Sequence, residues 1–305
     1  MKKDNRKYQV PRSVQKERME LFWCSLFRVR LFIFKEFGYD PVLYNFDQSP
    51  YHHNESGSQN KATLSVRGAN VPIVEGTADI RERWTLNATT CSNFSAVAEN
   101  GMPWAECMFK GTPGKMLHEN LTAFRVRAGF PDWFTVTISE KGSYREHDII
   151  EFLTKHLEEW RDGRDWRILM ADDYSAHKTP NVRRLCWRRG YILILHGGGC
   201  TPIAQTPDTD LNEHIRREYG MREATLLMEK SRMGITVPRL DREECMTAMF
   251  RVLNNPELHK RAERGYKQVG QSIDLWGSED NMITREAKQF FSKKRPTDIR
   301  QCVSA

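Results

Sequence analysis

The chain has 305 residues, 39% hydrophobic and 29% charged, a composition that excludes disorder and collagen-like repetition and suits one large domain or a domain with an appendage. Its 47 Lys and Arg against 40 Asp and Glu give a net charge of +7, which favours an anionic partner such as nucleic acid without requiring one. The seven cysteines (Cys24, Cys91, Cys107, Cys186, Cys200, Cys245 and Cys302) are scattered, odd in number and without a C-x-x-C pair or a secretory leader, a pattern expected in a reducing compartment.

The positive charge is concentrated at the start: residues 1–35 carry ten Lys or Arg and three acids. Contact with a polyanion is therefore expected there, unless folding gathers arginines from elsewhere; a solvated, frayed terminus is the alternative. From Ser13 to Phe37 apolar residues recur at helical spacing, and Gly38 follows as a stop signal. Arg28, Arg30, Lys35 and Glu36 interrupt this run, so it reads as a core helix and not a membrane span. Four N-x-[ST] matches, at Asn54, Asn87, Asn93 and Asn120, are then chance occurrences.

The next run, Val42 to Phe46, predicts a short strand ending on Asp47. After a polar stretch, β-type runs at Ala62 to Arg67, Arg83 to Cys91, Trp104 to Lys110 and Trp133 to Ser139 predict a meander of antiparallel strands. From Glu146 the spacing of Ile149, Phe152, Leu153, Leu157 and Trp160 predicts an amphipathic helix capped near Ser143 and Asp148. Trp166 to Ala171 predicts a second strand ending on acids, Asp172 and Asp173, followed by a helix from Asn181 to Arg189. Tyr191 to Leu195 is an apolar run expected of a strand buried on both faces, and Gly197-Gly198-Gly199 breaks it. A long helix is expected from near Asp208 to Met233, then further helices and a basic tail containing Lys293-Lys294-Arg295. That cluster is compatible with nuclear import and equally with a solvated tail.

This order predicts an α/β fold, an RNase H-like mixed sheet flanked by helices, with acids meeting where two strands end. The expected division is a basic lead-in and helix over 1–38, a catalytic domain over 39–235 and a helical, basic C-terminal extension over 236–305. Cleaving phosphodiesters calls for a clamp on two divalent cations, and hard Mg²⁺ prefers carboxylates and waters to His or Cys. Asp47, Asp172 and Asp208 supply three acids from separated segments, although an acid after a strand is more often a turn or cap residue.

Their surroundings carry more. The string Asn45-Phe46-Asp47-Gln48-Ser49-Pro50, with Asn60-Lys61-Ala62-Thr63, Gly68, the stretch from Thr77 to Thr85 and Phe109-Lys110-Gly111, resembles the catalytic domain of pogo and mariner-type transposases. Asp172-Asp173-Tyr174-Ser175-Ala176-His177 is similar to that family's D-N-x-S-A-H block, and Thr201 through Gln205 and Asp208 to Asn212 to its T-x-x-x-Q-x-x-D-x-x-x-N block. The resemblance runs over roughly residues 40–220, and 35 residues lie between Asp172 and Asp208, a spacing such enzymes use. It implies Mg²⁺ or Mn²⁺ dependence, DNA strand cleavage and joining, and Asp47, Asp172 and Asp208 as the metal ligands. DNA, as transposon ends or target duplex, is the implied partner, with no membrane and with a homodimer suggested by the pairing of two ends.

Asp173 competes with Asp172, and Asp210 with Asp208; the alignment favours Asp172, and the spacing from Gln205 favours Asp208. Asp210 suits a helix cap better. His177 stands near the phosphate or simply packs. His196-Gly197-Gly198-Gly199 matches an esterase oxyanion string, but no G-x-S-x-G elbow accompanies it, so the glycines read as a tight turn giving backbone room near the metal site. Gly111 to Met116 lacks the length and the Ser/Thr of a P-loop and reads as a surface turn. Only 46 residues precede Asp47, where family members carry a DNA-reading region, so a fragment, a captured gene or an externally targeted chain is expected. The rival classes are a non-catalytic nucleic-acid-binding protein with the same fold, and a host RNase or junction nuclease.

Overall fold

Alternating or continuous apolar runs must bury at least one face, and here six of them join a single mixed sheet. The computed structural model describes residues 10–52, 83–94, 103–158, 165–200, 211–236 and 238–289. Its strands are β1 (Leu43–His52), β2 (Arg83–Cys91), β3 (Trp104–Lys110), β4 (Phe134–Ser139), β5 (Arg167–Asp172) and β6 (Tyr191–His196), in the spatial order β4-β3-β2-β1-β5-β6. β1, β2 and β3 are antiparallel, whereas β5 and β6 run parallel to β1. A three-strand antiparallel unit continued past its first strand by two parallel strands is the RNase H-like arrangement, here widened by β4 beyond β3.

The helices in chain order are α1 (Arg12–Phe37), α2 (Met116–Arg127), α3 (Glu146–His156), α4 (Pro180–Arg188), α5 (Asn212–Arg232), α6 (Arg242–Leu253), α7 (Pro256–Gln268) and the short α8 (Arg285–Lys288). α1 lays Met19, Phe22, Trp23, Leu26 and Phe27 against Leu43, Ile168, Met170 and Ile194 of the sheet, together with Tyr266, Ile273 and Ile283 from the C-terminal segment. Gly38 ends it in the left-handed conformation at φ 80°, with its N–H on the Phe34 carbonyl. The larger cluster holds the aromatic stack of Tyr51, Trp84, Phe109 and Tyr219 on one face, and Tyr44, Trp104 and Tyr191 with α3 and α4 on the other.

Several expectations are corrected. β4 is parallel to β3, not antiparallel, because α2 carries the chain back between them. α2 buries only Leu121, so it has no apolar stripe to announce it. β1 does not stop at Asp47 but runs on to His52, paired with β2 through Pro50 opposite Thr85. Its β5 neighbour pairs only as far as Asn45, so Pro50 lies where β1 has a single hydrogen-bonded neighbour, the setting in which strands tolerate proline. β6 is covered on both faces as expected, by α1 over Ile192 and Ile194 and by α4 over Tyr191 and Leu193, but it stands at the edge of the sheet with one strand neighbour.

The Gly197-Gly198-Gly199 turn gives backbone room to the start of the chain and to α1. A Cβ on Gly197 would stand 2.7 Å from Arg18 Cδ, Gly199 needs φ 82° and meets Val10, and the Arg18 guanidinium donates to the Gly198 carbonyl. Arg30 is likewise removed from the amino-terminal positive charge: it is 1% exposed and donates to Asp40 Oδ1 (2.9 Å) and to the Gln271 (2.8 Å) and Ile273 (2.9 Å) carbonyls. The expected strand at Ala62 to Arg67, Trp160 and the Lys293 cluster lie outside the described residues.

A polar cluster sits under β3, β4 and α3. Glu106 accepts from Tyr144 Oη (2.9 Å) and Thr135 Oγ1 (3.1 Å) with Lys155 Nζ at 3.6 Å, and burial pushes its carboxyl above the ordinary range. His156, beside Thr135, is held down to about 4 by burial and by the charges of Lys155 and Arg125. Between its unfolded value near 6.5 and about 4, the unfolded chain therefore binds a proton that the folded chain refuses, so stability falls as pH falls through that window. The loss is about 3 kcal/mol in full. Glu106 works in the opposite direction, so the comparison is with His156→Asn: urea unfolding at pH 7 and at pH 4.5 should show the wild type losing more stability on acidification than the variant.

Candidate active site

Parallel pairing of β1 with β5 sets the site. The last registered pair is Asn45 with Met170, and Asp47 and Asp172 each lie two residues beyond it, at equivalent positions on neighbouring strands. Strands stand about 4.8 Å apart where they pair, and the register puts both acids on the same face just past the last pair.

Both are half-buried, and each is held by a neighbour. Asn212, on the first turn of α5 and 8% exposed, donates from Nδ2 to Asp47 Oδ2 at 3.0 Å. Asp172 Oδ1 lies 2.7 Å from His177 Nδ1 and accepts the Tyr174 N–H at 3.2 Å. Burial alone would raise the Asp172 carboxyl, but the His177 hydrogen bond and charge, the Tyr174 N–H and His196 outweigh it, and the group lies below its ordinary value. Asp172 is thus ionised at neutral pH and fixed in one rotamer.

Asp173, the competing acid, turns outward to Lys178 Nζ at 3.1 Å. His177 is fully buried and packs edge-on to Phe46, with ring centroids 4.8 Å apart, so it acts on Asp172 from beneath and does not reach toward solvent. Gln205, Asp208 and Asp210 lie outside the described residues, and among the described residues no cluster of three His, Cys, Asp or Glu side chains forms a metal cage. The donors in place are hard carboxylate oxygens, which fit Mg²⁺ or Mn²⁺, ions commonly held by one or two carboxylates with phosphate and water completing the shell.

One contributor escaped the sequence reading. His196 ends β6 in register with Asp172 and is fully buried, and its charge adds to the downward pull on that carboxyl. Its position one residue past the Tyr191 to Leu195 run was the available signal, hidden by the glycines that follow.

The fold is RNase H-like, and the two acids lie just past the last pair of two adjacent parallel strands. No family model matches the sequence, and no curated protein does. Among solved structures the chain is similar to the Mos1 transposase paired-end complex with left transposon end, at 12% identity and TM-score 0.37, covering 88% of this chain and 66% of that one. It is similar also to the Mos1 mariner paired end complex with Mn (11% identity, TM-score 0.38, 88% and 65% covered) and to the Mos1 transposase catalytic domain with Raltegravir and Mg (12%, 0.35, 88% and 100%). The chain thus spans just under two thirds of the length of the first two.

Proposed function

We propose that the chain is a metal-dependent DNA endonuclease and strand-transferase of the transposase type. The observation that carries this reading is the placement of Asp47 and Asp172 two residues beyond the last β1–β5 pair, each oriented by its own polar neighbour, Asn212 or His177. The resemblance of the surrounding sequence blocks to pogo and mariner-type transposases supplies the substrate class.

Asp47 and Asp172 would hold Mg²⁺ or Mn²⁺, with Asp208, four residues before Asn212 in sequence, as the third acid. Bound there, the ions would supply Lewis-acid stabilisation of the phosphoryl charge and activation of the attacking oxygen. The chain's own part is electrostatic and geometric. The depressed Asp172 carboxyl stays ionised, Asn212 holds one Asp47 oxygen in place, and His177 fixes the Asp172 carboxylate through Oδ1. In the cutting step a water oxygen bonds to phosphorus as the bond to the 3′ oxygen breaks, releasing a 3′-hydroxyl. In the joining step that hydroxyl oxygen bonds to the phosphorus of a second phosphodiester as its bond to the 3′ oxygen breaks, leaving a new 3′-hydroxyl; two DNA ends and, on this reading, two copies of the chain take part.

Incubation with duplex DNA, RNA–DNA hybrid and four-way junctions tests this. Nicking of duplex DNA that requires Mg²⁺ or Mn²⁺, stops on chelation and returns when metal is restored is the expected result. Cleavage confined to the hybrid or the junction would assign the site to a host nuclease instead, and DNA binding without cleavage would assign a binding protein.

A further inference from the structure

Arginines gathered by folding form a cationic surface on α4. From Lys178 to Gly190 the sequence holds five basic residues (Lys178, Arg183, Arg184, Arg188 and Arg189) and no acid, a denser charge than that of the amino-terminal stretch. α4 covers most of this segment. It buries Val182 and Cys186, and the 100° step per residue places Arg183, Arg184, Trp187 and Arg188 together on the opposite, exposed side.

None of those three arginines is paired with a carboxylate among the described residues. Arg183 Nε reaches only the Lys178 carbonyl (3.4 Å) and Arg184 Nη1 only Asn181 Oδ1 (3.4 Å). Between them stands Trp187, 58% exposed, its ring 4.7 Å from that of Trp166. Three unneutralised guanidinium groups around an exposed, supported indole match a nucleic-acid strand: phosphates for the arginines, a base face for the ring. The helix starts at the Asp172 end of β5, with its cap Thr179 two residues after His177, and runs back along the strand, so that Trp187 meets Trp166 just before β5 begins and the patch leads away from the site. Its nine residues extend about 13 Å, the axial rise of roughly four base pairs.

We propose that the outer face of α4 is a DNA-docking track leading away from the site, with Arg183, Arg184 and Arg188 on phosphates and Trp187 stacked on an unpaired base at its far end. This rests on the function proposed above and adds to it the surface that holds the substrate strand. The test is anisotropy of labelled DNA with the full chain in EDTA, so that catalysis plays no part, over a range of salt. The triple variant Arg183→Gln, Arg184→Gln, Arg188→Gln keeps good helix formers at exposed positions. It should lose affinity on the order of 100-fold at about 0.15 M salt, and its log Kd against log salt slope should flatten by about 3. The corresponding triple Lys variant should keep the slope. Trp187→Ala should weaken binding on the order of tenfold for duplex with an unpaired end and little for blunt duplex. An unchanged slope in the Gln variant, with wild-type DNA binding intact, overturns the track while leaving the function standing. A wild-type chain that prefers anionic vesicles to DNA, or binds no DNA, overturns both.

Discussion

Asp172→Asn should reduce Mg²⁺-dependent DNA nicking on the order of 10³-fold or more while the chain stays folded, three decades being about 4 kcal/mol of transition-state stabilisation. The substitution removes the charge that a divalent ion needs and keeps an oxygen able to accept from His177 and from the Tyr174 N–H, so the turn after β5 retains its hydrogen bonds. His177→Ala is the graded companion. It leaves the carboxylate but frees its rotamer, and loss of a residue that orients a metal ligand costs about 10–100-fold in metal affinity or rate. Calorimetric Mn²⁺ titration beside the nicking assay separates the two, since His177→Ala should be partly restored by excess metal and Asp172→Asn should not. There is also a stability signature. The folded Asp172 carboxyl titrates below its unfolded value, so the carboxylate's contribution is full above the unfolded value and disappears as pH falls through the folded one; the Asn variant should lack that acid-sensitive component.

Trp84→Ala should destabilise the fold by about 3–5 kcal/mol, the cost of emptying a large aromatic site in a packed core. For a chain of this size that is a fall in Tm of roughly 10 °C, readable by calorimetry. Trp84 is completely buried, stacks on Tyr51 at 4.9 Å and lies 5.5 Å from Phe109 and 5.8 Å from Tyr219, joining β1, β2 and β3 to α5. Its Nε1 makes no hydrogen bond to any of the described residues, so Trp84→Phe, which preserves most of the stacking, should cost far less. Because α5 also carries Asn212 onto Asp47, the Ala variant should lower activity at temperatures where it remains folded.

Much of this was legible because the signals were local. β2 and β3 coincide with β-type runs bounded by turn residues, and α1 ends at the glycine that stops it. What escaped depends on partners distant in sequence. The continuation of β1 through Gln48-Ser49-Pro50 has a turn-like composition and is a strand only because β2 pairs with it. α2 is polar on nearly every side, so no periodicity marks it, and without it β4 reads as one more antiparallel strand. The run Tyr191 to Leu195 is apolar enough for a central strand, yet apolarity does not distinguish a strand between two neighbours from one at an edge covered by helices. At the site, strand ends pointed to Asp47 and Asp172, but the contact of His177 with Phe46 and Asp172 arises only when the turn after β5 folds beneath the sheet. The charge of α4 was visible as composition; its gathering on one side follows from helical phase, which the net charge of the whole chain conceals.

A sulfur substitution at the scissile phosphate tests the central claim most directly. Mg²⁺ is hard and coordinates sulfur poorly, whereas the softer Mn²⁺ accepts it. If the carboxylates of Asp47 and Asp172 present a divalent ion to the phosphate, cleavage of the phosphorothioate duplex should be slowed strongly in Mg²⁺ and recover in Mn²⁺. Equal rates with the two metals relative to the normal phosphate would contradict direct metal contact at the cut, and with it the assignment of these acids.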